Sequence, residues 1–159
     1  MREEDVDFSH LSKWLTDHRV LEFYEGRDAP VSMDEARTAF SPRTMQAEGT
    51  TPCFIELDGE PIGYIQYYLN DEPGTWGIDL FLGVPELWGQ GLGAQAIRAM
   101  LEFLFSQEAA RAVTVDPHAT NERAIRCYEK CGFRKVRILE RSEWHEGSYR
   151  DCWLMEATR

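Results

Sequence analysis

Four cysteines, no apolar run near the roughly 20 residues of a membrane span, and only 17 Lys and Arg against 28 Asp and Glu mark this 159-residue sequence by what it has little of. Each shortage removes a class. Without a long apolar run or a signal-like N-terminus ("MREEDVDFSH"), no membrane partner is expected and the cytoplasm is the expected location. A net charge of −11 would repel phosphate backbones, so no nucleic-acid partner is expected either. Cys53, Cys127, Cys131 and Cys152 are too sparse for a disulfide framework. Cys127 and Cys131 stand four apart on a predicted helix, but no further Cys or His close in sequence completes a ligand set. They read as buried free thiols, and no metal is expected.

What is present is ordinary for a globular chain: 43% hydrophobic and 28% charged residues, with five Trp, six Tyr and eight Phe. The length suits one domain, 1–159, and no linker or repeat divides it. An acidic surface also suits a cationic substrate, whose approach it would steer.

Periodicity predicts a helix over about Asp7–Asp17, and "SMDE" (Ser32–Glu35) has the form of a capping box opening a second. Pro42 is expected to break or kink that helix, with a short turn running on to Gly49. The period then becomes two. Strands are predicted at Pro52–Leu57 and Pro61–Leu69 around Asp58-Gly59, and a buried strand at Thr75–Gly83. A helix with an Ile97, Met100, Leu101, Leu104 and Phe105 stripe follows. Next come a strand at Arg111–Asp116, a helix stopped by Gly132, and a closing hairpin around His145–Gly147. This is an α/β chain with a mixed sheet and helices packed on it.

The loop before the long helix, "ELWGQGLGAQA", sets glycines at 89, 91 and 93. It is no dinucleotide fingerprint, because the last spacing is wrong and it follows the third strand. It is no P-loop, because Gly-Lys-Ser/Thr is missing. A glycine-rich helix N-terminus whose amides point at an anion remains, alongside a simple tight turn.

A second block, "NERAIRCYEKCGF", joins that loop at the separation found in the Gcn5-related N-acetyltransferases (GNAT), which the chain resembles from about Thr51 onward. The resemblance is greatest to their aminoglycoside 6'-N-acetyltransferase branch. The family signature Gln/Arg-x-x-Gly-x-Gly/Ala falls here on Trp88 to Gly93, with Trp88 where Gln or Arg is usual. The resemblance implies a GNAT fold: a central mixed, mostly antiparallel sheet splayed at the acetyl-CoA site, helices on both faces, and the first strand truncated. It implies acetyl-CoA as cosubstrate, with its pyrophosphate cradled by Gly89, Gln90, Gly91, Leu92, Gly93 and Ala94. Phe81 and Leu82 would pair with the pantetheine arm, and Asn121 occupies a cofactor position. Tyr128 matches the tyrosine that protonates the leaving thiolate. On the residues alone it reads equally as a core aromatic of its helix face.

Asp79 is a carboxylate inside the apolar strand "WGIDLFL", costly unless partnered. It is expected to bind the substrate ammonium and take or relay its proton. Tyr24, Tyr68, Asp71, Glu72, Asp116 and Glu146 are further expected substrate-binding residues for a polycationic amine. The expected activity is acetyl transfer to the 6'-amine of aminoglycosides by a monomer or homodimer. The alternative is a siderophore-biosynthesis acyltransferase acting on a hydroxylamine, a branch that typically carries His where Asp79 stands.

Overall fold

Four helices, three strands and then a mixed run follow along the chain in the order α1 (Asp5–Trp14), α2 (His18–Leu21), α3 (Met33–Ala39), α4 (Pro42–Ala47), β1 (Thr50–Leu57), β2 (Glu60–Leu69), β3 (Thr75–Leu82), α5 (Leu92–Ser106), β4 (Ala112–Val115), α6 (Glu122–Lys130), β5 (Arg134–His145) and β6 (Ser148–Thr158). A single 3₁₀ turn, Pro85–Leu87, precedes α5. The computed structural model describes all residues from Met1 to Arg159. The six strands have the order β1-β2-β3-β4-β6-β5, a mixed sheet with helices around it. Helices α1–α4 precede β1. No helix is long and apolar enough to cross a membrane.

The chain divides into two compact units, with β3 contributing residues to both. The first holds Met1–Tyr68 and Asp79–Trp88. Its core joins Phe8, Leu11, Trp14, Leu15, Val20, Leu21, Ala36, Phe40, Tyr64 and Phe81. Leu11 and Trp14 of α1 and Leu15 at its C-cap supply it at helical spacing, as their period requires. Ser32 and Glu35 form the predicted reciprocal capping box of α3. Pro42 does not merely end that helix. It opens α4, with Ser41 accepting from the Thr44 amide, because proline's fixed φ and missing N–H suit a first helical turn. The predicted turn to Gly49 is therefore mostly helix.

The β1–β2 hairpin closes on Asp58 and Gly59 with φ of 52° and 85°, the paired positive values of the tight hairpin turn that Asp-Gly favours. Gly83 is glycine for a different reason. A Cβ there would lie 2.1 Å from the Trp14 ring, so the indole occupies the space of a side chain.

The second unit holds Leu69–Ile78 and Gly89–Arg159. Within it, Thr75–Gly77 of β3 pair in parallel with Ala112–Thr114 of β4, and β4 pairs antiparallel with β6. Ile97, Leu101 and Leu104 of α5 are buried, while Met100 and Phe105 lie half-exposed at the edge of the stripe. Val113, Ile125, Phe133 and Met155 are also buried. The β5–β6 hairpin turns on Glu146 and Gly147, again with two positive φ values.

Candidate active site

Alternation along β2 puts Tyr64, Gln66 and Tyr68 on one face. Gln66 Nε2 donates to Asp79 Oδ2 at 2.7 Å, and the Tyr64 hydroxyl donates to Gln66 Oε1 at 2.7 Å. Tyr64 is fully buried, and burial together with the nearby Asp79 charge pushes its hydroxyl far above the usual phenol range. It therefore stays protonated and donates to the glutamine oxygen, leaving the glutamine nitrogen to face Asp79. The carboxylate is half-buried and oriented by an uncharged donor. Its cost in an apolar strand is thus offset in part by this hydrogen bond.

Tyr24 lies in the same unit, its ring centroid 4.6 Å from that of Phe81. Burial, then the proximity of Tyr64, Glu25, Asp79 and Tyr68, raises its hydroxyl well above the ordinary value. Four expected site residues, Tyr24, Tyr68, Asp79 and Phe81, are thus neighbours. Gln66 and Tyr64, which orient Asp79, were not expected. Their signal was a glutamine in an apolar strand, "IGYIQYYL", two residues from a tyrosine on the same face.

Trp88, in the signature's Gln/Arg position, donates through Nε1 to the Leu82 carbonyl at 3.0 Å. It therefore ties the entry of the glycine loop back to the strand. Gly89 and Gly91 have φ of 78° and 82°, conformations a β-branched residue would strain to adopt. Gly91 is the N-cap of α5 and offers no side-chain cap, so the first-turn amides depend on an acceptor from outside the helix. A Cβ at Gly89 or Gly91 would meet nothing within 4 Å, so the space before these two glycines is open. That fits an amide cradle for a pyrophosphate. Gln90 is exposed, and Leu92, Gly93 and Ala94 are half-buried in the first turn.

Helix α6 is fastened to that turn. Cys131 donates its S–H to the Ala94 carbonyl at 3.5 Å, and Arg98 reaches the Lys130 carbonyl at 3.2 Å. Burial pushes both the Cys127 and the Cys131 thiols above their ordinary range. Tyr128 is buried on this helix, edge-on to Phe133 at 5.4 Å. Asn121 caps α6, its Oδ1 accepting from the Ala124 amide at 3.1 Å. A structural task thus accompanies the cofactor position the resemblance assigns it.

The remaining expected residues are scattered over the second unit. Asp71 and Glu72 are exposed in the β2–β3 loop, whose start is pinned beside β4 by Asn70 Nδ2 donating to Thr114 Oγ1. Glu146 sits in the tight turn of the last hairpin with φ of 48°. Asp116 follows β4 with its surface open to solvent, yet crowding by protein and then the Glu143 charge push its carboxyl up.

A family model described as an acetyltransferase (GNAT) domain matches residues 3–141. An aminoglycoside N(6')-acetyltransferase type 1 from Klebsiella pneumoniae is 34% identical over 140 residues, which are 81% of this chain and 70% of that protein. The structure of AAC(6')-Ib with ribostamycin and coenzyme A superimposes with a TM-score of 0.88 at 31% identity, covering 100% of this chain and 90% of the other. The same enzyme with coenzyme A and kanamycin gives 0.87 at 30% identity, covering 100% and 92%. With its glycine-led helix start, its mixed sheet and these relatives, the chain belongs to the GNAT acetyltransferases, within the family of the aminoglycoside N(6')-acetyltransferases.

Proposed function

We propose that this chain, working as one catalytic domain, transfers the acetyl group of acetyl-CoA to the 6'-amine of aminoglycosides. The observation that carries the reading is Asp79, a carboxylate in an apolar strand held by Gln66, which Tyr64 in turn orients. An aliphatic ammonium with a pKa of about 10 is almost fully protonated at neutral pH and has no lone pair for attack. Asp79 binds that ammonium and accepts its proton, directly or through water. The freed amine nitrogen forms a bond to the thioester carbonyl carbon as the C–S bond breaks, and Tyr128 supplies a proton to the sulfur. The second proton the nitrogen sheds on becoming an amide returns to the Tyr128 oxygen through water.

The backbone divides the remaining work. The amides from Gly89 to Ala94 hold the pyrophosphate at the positive end of α5, and Phe81 and Leu82 bind the pantetheine arm. Asn121 borders the cofactor. Tyr24 and Tyr68 offer flat faces to sugar rings, while Asp71, Glu72, Asp116 and Glu146 attract the other ammonium groups. Carboxylate chemistry at position 79 favours a basic amine over a hydroxylamine. The relatives' names support the same choice, since two solved neighbours hold ribostamycin and kanamycin.

The test is release of free thiol from acetyl-CoA in the presence of kanamycin, with the acetylated position found by mass spectrometry and NMR. Acetylation at the 6'-nitrogen is expected. Turnover of N-hydroxylysine with none of any aminoglycoside would overturn the reading in favour of the siderophore branch.

A further inference from the structure

Three side chains far apart in sequence meet in the second unit, beside Asp116 and Glu146 but sharing no residue with the groups given a role above. His118 stands just after β4, where its segment pairs with β6 through an isolated bridge to Cys152. Flanking bonds from Ala119 N to Asp151 O (2.8 Å) and Trp153 N to Pro117 O (2.9 Å) fix that segment. Glu143 and His145 lie two apart on β5, so alternation directs both to one face. They follow a bulge at which the register slips between Leu139 and Glu143, with Arg141 at positive φ and its amide held by Asp151.

The result is a tight group. His118 Nε2 is 2.9 Å from Glu143 Oε2, and the two imidazoles meet edge to face with centroids 4.5 Å apart. Both histidines are about 95% buried, at 5% and 4% exposure. One ligand atom from each of His118, Glu143 and His145 lies within 4.8 Å of the other two. Cys152, buried on β6, brings its sulfur to 3.6 Å from Glu143 Oε2.

An ion pair between His118 and Glu143 would tie the segment to the hairpin without help. It gives no reason to bury a second imidazole against the first. A transition-metal ion needs that arrangement. With Zn–N and Zn–O bonds near 2.1 Å, tetrahedral ligand atoms stand about 3.4 Å apart, within a small side-chain adjustment of the present spacing. Two imidazoles and a carboxylate, with a sulfur at the margin, favour zinc over magnesium or calcium, which prefer oxygen sets. Glu143 is itself half-exposed, which leaves a path for an ion to enter.

We propose that His118, Glu143 and His145 form a zinc-class divalent metal site with three protein ligands and an open fourth position. On binding, each imidazole gives a neutral ring nitrogen and Glu143 an ionised oxygen.

The test uses the full chain, with any affinity tag cleaved off, stripped with EDTA and desalted. Zn²⁺ is titrated by calorimetry, and Co²⁺ by its visible ligand-field absorption. One equivalent should bind with a Kd below about 10 µM, and His118→Ala and His145→Ala should each weaken binding about 100-fold or more. Glu143→Gln should weaken it about 10-fold or more. His145→Gln replaces His145→Ala if circular dichroism shows the alanine variant unfolded. Replacing Cys127 and Cys131 by serine should leave binding unchanged. No saturable one-to-one binding, binding indifferent to both histidines, or binding lost with the Cys127 and Cys131 pair would each overturn the proposal.

Discussion

Gln66 holds Asp79 with a neutral donor, Nε2 to Oδ2 at 2.7 Å, where an arginine would have held it with a charge. An amide donor at this distance orients the carboxylate without itself bringing a charge to it. Asp79→Asn should therefore cost at least about 10²-fold in kcat/KM for 6'-amino aminoglycosides, or roughly 2.7 kcal/mol of transition-state stabilisation. Gln66→Leu keeps the carboxylate but loses its orientation, and a fall of about 10-fold is expected. Steady-state kinetics with kanamycin, compared with acetyl-CoA affinity by calorimetry, separates the two effects. Cofactor affinity should stay near wild type in both variants.

Gly91 is at φ 82° with open space before it, so backbone conformation and not crowding dictates its identity. Gly91→Val should strain the loop by about 1–2 kcal/mol and raise the acetyl-CoA KM about 10-fold or more. Gly91→Asn, which tolerates the left-handed region, should be far milder. Equal KM values for valine and asparagine would remove backbone conformation from the account.

Tyr128→Phe removes a hydroxyl and keeps the edge contact with Phe133. Thermal stability should change little, while kcat should fall roughly 10²-fold if the phenol protonates the thiolate. A kcat within a factor of two of wild type would make Tyr128 a packing residue.

Gly83 faces the Trp14 ring at a distance that no Cβ tolerates. Gly83→Ala should destabilise the fold by about 1–3 kcal/mol, the usual cost of overpacking. Trp14→Leu in the same chain should recover part of the loss. Chemical denaturation of the two single variants and the double variant measures both.

Burial raises the thiols of Cys53, Cys127 and Cys131. A raised thiol pKa means less thiolate at neutral pH, so these groups should react with a disulfide reagent more slowly than free cysteine. The rate should climb as pH rises toward their elevated pKa values. In denaturant all four cysteines should react fast, and stopped-flow absorbance at several pH values reads the difference.

Most of the framework could be read from local signals. Asp58-Gly59 marked a hairpin, Ser32 and Glu35 a helix start, and the loop and "NERAIRCYEKCGF" together marked the cofactor fold. Those features are short-range, so adjacent residues carry them. Pro42 does end the helix before it, but the helix it opens was missed, because a proline that stops one helix is well suited to begin the next and only the intervening Ser41 cap signals it. Gln66 escaped notice because its importance lies across the sheet, 13 residues away on Asp79. His118, Glu143 and His145 were invisible as a group for the same reason. Metal-ligand spacing is looked for within a few residues, whereas here a crossing of β4, β5 and β6 brings the three together.

The slip in the last hairpin has a consequence for how its length can vary. Leu139 faces Cys152 and Glu143 faces Arg150, so four steps on β5 match two on β6, and the surplus is two residues. A surplus of two preserves the alternation of a strand, while a surplus of one inverts every side chain beyond it. Deleting two residues around Arg141 would keep His145 inward and Trp144 outward. Deleting one would exchange them, pressing an indole into the space of an imidazole. Insertions and deletions around Arg141 should therefore be tolerated in even numbers, unlike the single extra residue between Lys135 and Arg137 that the same strand absorbs as a bulge.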